Sequence, residues 1–86
     1  MTVQDFSKLS RKIHPMPNFV LDALGERNLL EAYRSRPPYQ QNDYIGWIER
    51  AKRPATREKR LLQMLDELSR GDVYMKMDWK PSRSTR

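Results

Sequence analysis

Tyr44-Ile45-Gly46-Trp47-Ile48-Glu49-Arg50-Ala51-Lys52-Arg53-Pro54-Ala55-Thr56-Arg57-Glu58-Lys59-Arg60-Leu61 is the stretch whose pattern decides the architecture. Tyr44, Trp47, Ile48 and Ala51 recur at i, i+3, i+4 and i+7, the spacing that lines one helix face, and predict a helix from Tyr39 to Lys52 whose stripe is core. Pro54 falls where a new helix begins without needing the amide that proline lacks. That helix runs to Arg70, with Leu61, Leu65 and Leu68 inward, Leu62 and Met64 flanking, and Gly71 just past its end, where a left-handed cap favours glycine. Short connections favour antiparallel or steeply crossed neighbours, so the stretch reads as the heart of a helical bundle.

Working upstream, Pro37-Pro38 stops a helix expected over Leu29 to Ser35, with Asn28 as its N-cap, Glu31 as the capping-box partner, and Leu30 and Tyr33 on its buried side. His14-Pro15-Met16-Pro17 is held extended, because each proline pushes its predecessor out of the helical region. Pro17 then opens a helix to Leu24 that Gly25 ends, with Val20, Leu21 and Leu24 facing inward. Phe6, Leu9 and Ile13 suggest a short helix or a strap at the N-terminus. Downstream of Gly71, Val73, Met75, Met77 and Trp79 alternate with Tyr74, Lys76, Asp78 and Lys80, as in an extended segment laid on the bundle with no evident strand to pair with. The expectation is an all-α fold, a small single-domain bundle of about four helices with flexible or extended termini. Residues 1–16 form the strap or short helix, 17–71 the bundle, and 72–86 an extended to disordered basic tail.

Composition narrows the class. A chain of 86 residues is one domain with a thin core, and 37% hydrophobic against 33% charged residues describes a water-soluble protein. No apolar run approaches the roughly 20 residues of a bilayer span. Met1 to Lys12 lacks the apolar centre of a secretory signal, so the chain is expected in the cytoplasm. With no cysteine, disulfides, thiol catalysis and thiolate metal sites fall away together. The net charge of +6 invites an anionic partner, yet part of the excess lies in the polar run Lys80 to Arg86 and the rest is interleaved with acids, as in Arg57-Glu58-Lys59-Arg60.

One arginine is read apart from the others. Arg57 stands four residues before Leu61 and so heads the apolar stripe of the last helix, on its buried side. A guanidinium there needs carboxylates or backbone carbonyls, and one reading lays its stem along Trp47 or Leu61 while it caps helix ends. The other reading is an anion or partner-binding site of Lys52, Arg53, Arg57 and Arg60 at the start of that helix, whose exposed amides favour negative charge.

The segment from Tyr44 to Arg60 resembles the bacteriocin-protection, YdeI or OmpD-associated family. The pattern of that family is a Tyr-Ile-x-Trp-Ile block, then Ala-Lys, Thr-Arg-x-x-Arg and an apolar helix closing on Gly. Tyr44, Ile45, Trp47, Ile48, Ala51, Lys52, Thr56, Arg57, Arg60 and Gly71 match it, with Pro17, Ala23-Leu24 and Tyr33 upstream, so the likeness runs from Pro17 to Gly71. It departs from the family at Pro38-Tyr39, where members often have a small polar cap. Any activity housed in the additional preceding domain that many members carry is not transferred. The resemblance implies a helical module whose family name records bacterial envelope stress and protection from toxic peptides. It assigns no reaction, and Tyr44, Trp47, Ile48, Ala51 and Thr56 read as mainly structural.

The residues themselves offer no catalytic set. His14 stands alone between Ile13 and Pro15, no His or Cys cluster offers metal ligands, Asp66-Glu67 falls on the polar side of the last helix, and three scattered glycines make no phosphate loop. The expectation is a protein without catalytic activity, cofactor or metal. Three classes of partner are in view. The first is a protein bound by an interaction module. The second is a nucleic acid held by the helix-turn-helix-like region 51–60, and the third an anionic membrane surface met by the basic tail with Trp79 and Tyr74.

Overall fold

A computed structural model describes residues 13–80. Among them are four helices, α1 (Asn18–Glu26), α2 (Leu30–Arg34), α3 (Pro38–Glu49) and α4 (Pro54–Arg70), followed by an antiparallel hairpin of β1 (Val73–Tyr74) and β2 (Met77–Asp78). The fold is the helical bundle that the spacing predicts. No helix among the described residues is long and apolar enough to cross a membrane. The strap expected over residues 1–16 and the basic run past Lys80 lie largely outside the described residues.

Prolines set three of the helix starts. Pro17 precedes α1 in an extended conformation, and its carbonyl accepts the amides of Val20 and Leu21; Pro38 and Pro54 stand in the first turns of α3 and α4. The end of α1 differs from the expectation. Gly25 lies inside the helix, and Asn28 adopts a left-handed φ of 58°. The Leu29 amide reaches the Leu24 carbonyl at 2.9 Å and the Asn28 amide that of Gly25 at 3.2 Å, the paired bonds of a Schellman cap. Asn28 therefore closes α1, and α2 begins on Leu29 without a side-chain cap, so the expected capping box does not form. Asparagine suits both jobs, and only the backbone conformation tells them apart. Helix α3 stops at Glu49, before Ala51 and Lys52. Helix α4 keeps the predicted limits, with Gly71 at φ 85° as its left-handed cap.

Helices α3 and α4 are the principal packed pair. Tyr44, Ile45 and Ile48 meet Leu61, Met64, Leu65 and Leu68, and Val20, Leu24 and Tyr33 complete the core. Fully burying one such side chain is worth about 1.5–3 kcal/mol. Ala51 is buried as expected, whereas Trp47 only borders the core and Leu21 and Leu62 face solvent at 41% and 44% exposure. At Gly46 the His14 ring lies where a β-carbon would stand, 2.7 Å from that point, and the His14 amide donates to Asn42 Oδ1 at 2.6 Å. The glycine thus lets the extended N-terminal segment cross α3 closely.

The segment after Gly71 pairs with itself. Val73 faces Asp78 and Tyr74 faces Met77 across a two-residue turn, Met75-Lys76, in which φ is 51° and 66°. Positive φ at both central residues marks a type I′ turn, usually built from Asn and Gly. The inward alternation expected of this segment stops at Met77, which is 58% exposed.

Candidate functional site

The basic corner lies where α3 hands over to α4. Lys52 and Arg53 sit exposed in the connection, and Thr56 is half-buried in the first turn of α4. Arg57 is exposed, not buried, with its guanidinium turned to the α3–α4 connection and to α1 instead of the core. Its Nη2 donates to the Ala51 carbonyl at 3.4 Å, and the guanidinium stands 5.9 Å from the ring centre of Phe19. Arg60 is tied more firmly. Its Nη1 donates to the Trp47 carbonyl at 2.6 Å, and its guanidinium lies 5.3 Å from the centre of the indole. Arg60 thus satisfies a carbonyl in the last turn of α3 and Arg57 one just past its end, where the helix dipole also favours positive charge. Among the described residues, none of Lys52, Arg53, Arg57 and Arg60 is in an ion pair. The structure brings the four predicted cations to one corner, with Lys52 and Arg53 uncommitted and the two helical arginines partly spent on capping.

Among the described residues the buried arginine is Arg36, at 4% exposure. It donates from Nη1 to Gln40 Oε1 and from Nη2 to the Glu67 carbonyl, both at 3.0 Å, and lies 4.5 Å beneath the Trp79 ring. Its role at the C-terminal turn of α4 repeats that of Arg57 and Arg60 at α3. Glu67 overturns a second expectation, since at 2% exposure it is buried on the flank of α4 instead of solvated. Its carboxylate accepts from the Tyr44 hydroxyl at 2.5 Å, Gln63 Nε2 at 3.1 Å, and the amides of Met75 and Lys76 at 2.8 Å each. Four donors on two oxygens offset much of the cost of taking a carboxylate out of water. Arg60, Gln63 and Glu67 stand at i, i+3 and i+7, a polar row beside the apolar stripe, and that spacing was the available signal.

Tyr33, Tyr44 and Tyr74 are donors held in the neutral form. Burial, followed by the hydrogen bond and charge of Glu67, raises the Tyr44 phenol well above its ordinary value, against a smaller opposing effect of Arg36. Tyr74 is raised by burial and by Asp43, to which its hydroxyl donates at 2.7 Å. Burial alone pushes Tyr33 up to about 12. Such phenols hold hydrogen bonds and do not act as bases at neutral pH. Further depressions occur among the described residues. A cavity of about 250 Å³ is lined by Ile13, His14, Met16, Tyr33, Gln41 and Asn42, and a polar groove of about 410 Å³ runs between α4 and the hairpin. No group of three or more metal-ligating side chains occurs among the described residues.

Compared with known proteins, residues 15–71 match the family model described as Bacteriocin-protection, YdeI or OmpD-Associated. No curated protein and no solved structure matches the chain. The matched span ends at Gly71, so it holds all four helices and the basic corner, while the hairpin lies beyond it.

Proposed function

Because the chain belongs to the bacteriocin-protection, YdeI or OmpD-associated family, we propose that it is a non-enzymatic interaction module that docks an acidic protein surface on its basic α3–α4 corner. The observation carrying this reading is the exposure of Lys52 and Arg53, free of ion pairs among the described residues, beside Arg57 and Arg60. Arg57 and Arg60 are held by carbonyls, which lowers the entropic cost of presenting their share of the charge beside Lys52 and Arg53. A chain of net charge +6 repels cationic peptides at long range. On this reading, any part in protection from such peptides runs through an acidic partner.

The test is capture from the host's own extract on the immobilised full chain, after nuclease treatment and removal of membranes. Lys52→Glu with Arg53→Glu is the control, because neither side chain makes a hydrogen bond within the described fold. The reading expects a discrete acidic protein that the reversed chain loses. Binding that needs DNA and falls steeply with salt would give the site to nucleic acid instead, and binding restored only by anionic vesicles would give it to a membrane surface.

A further inference from the structure

About 20 Å along α4 from the basic corner, residues 72–80 lie on the bundle as an arm. Every residue of this arm is exposed or half-buried, while its partners Arg36, Tyr44 and Glu67 are buried. Its holds on the bundle are of distinct kinds, and Tyr74 and Met75 also pack half-buried against the edge of the core. The Tyr74 hydroxyl donates to Asp43, and the Tyr74 ring stands edge-on to Tyr44 and Tyr39 at 5.4 Å and 6.0 Å. The turn amides of Met75 and Lys76 share the two oxygens of Glu67, and Trp79 covers Arg36. Working against these holds, two successive non-glycine residues stand in the left-handed region, a conformation that persists only where the surroundings impose it.

We infer that residues 72–80 are a detachable arm filling, in cis, a peptide-binding site made by Arg36, Asp43, Tyr44 and Glu67. The site takes a turn-forming peptide of another chain. A tyrosine before the turn reaches Asp43, two turn amides meet the Glu67 carboxylate, and an indole after the turn lies on the Arg36 guanidinium. The chemistry of the arm is the argument for this occupant, since the bundle offers acceptors where a peptide turn has donors and a cation where it has an aromatic face. Tethering gives the arm an effective concentration in the millimolar range, so a free peptide competes only once the arm is weakened.

The experiment titrates a labelled peptide of the Asp72–Lys80 sequence into three full-length chains: the unaltered protein, Tyr74→Phe, and Tyr74→Phe with Trp79→Ala. Apparent affinity is expected to rise by about tenfold or more from the first chain to the last. Adding Glu67→Gln to the double variant should remove that gain. Tyr74→Phe keeps the ring and loses only the hydroxyl, and helix content by circular dichroism verifies each bundle. In the unaltered chain, the Met75 and Lys76 amides should exchange hydrogen faster than the core amides of α3 and α4. Equal peptide binding by all three chains would overturn the inference, as would Met75 and Lys76 amides that exchange only through global unfolding.

Discussion

Gly25 and Gly71 separate two uses of the same residue. A β-carbon meets nothing within 4 Å at either position, but only Gly71 has a positive φ. Gly71→Ala is therefore expected to cost about 1–2 kcal/mol through backbone conformation alone. Gly25→Ala, inside a helix, should stabilise by up to about 1 kcal/mol. Urea unfolding of the two variants checks both signs, and a loss at both positions would contradict the assignment. Tyr44→Phe removes one of the four donors to Glu67 and keeps the ring, so a loss of about 1.5–3 kcal/mol is expected, as for a hydrogen bond to a charged group. A neutral result by the same measurement would mean that the other three donors suffice for the carboxylate. These residues also show where reading the sequence alone fell short. Arg57 follows the helical spacing of the stripe, yet it is exposed, because spacing on one helix does not say which neighbour covers its first turn. Glu67 looks solvated on an isolated helix and is buried because Tyr44 and the hairpin arrive on its flank.

At the scale of elements, legibility followed backbone chemistry. Pro54 and Gly71 bracket α4 with residues that each suit one backbone role, and the limits of that helix were readable in advance. Asn28 has two common roles, so the end of α1 and the start of α2 were not. The hairpin is not legible in the sequence because its turn is Met75-Lys76, with none of the glycine or asparagine that marks a type I′ turn. That choice is testable. The Lys76 side chain is exposed while its amide serves Glu67, so Lys76→Gly relieves the left-handed strain and keeps the hydrogen bond. The variant should slow hydrogen exchange at Met75 and Lys76 by roughly fivefold, the equivalent of about 1 kcal/mol. Faster exchange would show that the lysine stem holds the turn in place.

For the whole molecule, the core built around Tyr44 gives a fold expected to unfold as one cooperative unit. Its stability should depend on pH at the alkaline end. Tyr33, Tyr44 and Tyr74 are all raised above the ordinary phenol value of 10.0, so the folded state favours their neutral forms. That contribution is complete below the unfolded value and is lost as pH rises through it, by at most about 1.4 kcal/mol per pH unit for each phenol. Denaturation midpoints should therefore fall above pH 10, and a flat profile to pH 12 would contradict the burial of these rings. The role of the molecule rests on a different region, the corner that carries Lys52, Arg53, Arg57 and Arg60. The most direct measurement places a photo-crosslinking side chain at Lys52 of the full chain in its host cell, with the same group at exposed Arg27 as the comparison. The account predicts one acidic protein captured from position 52 and absent from position 27. Equal capture from both positions, or none from position 52, would contradict a docking role for the basic corner.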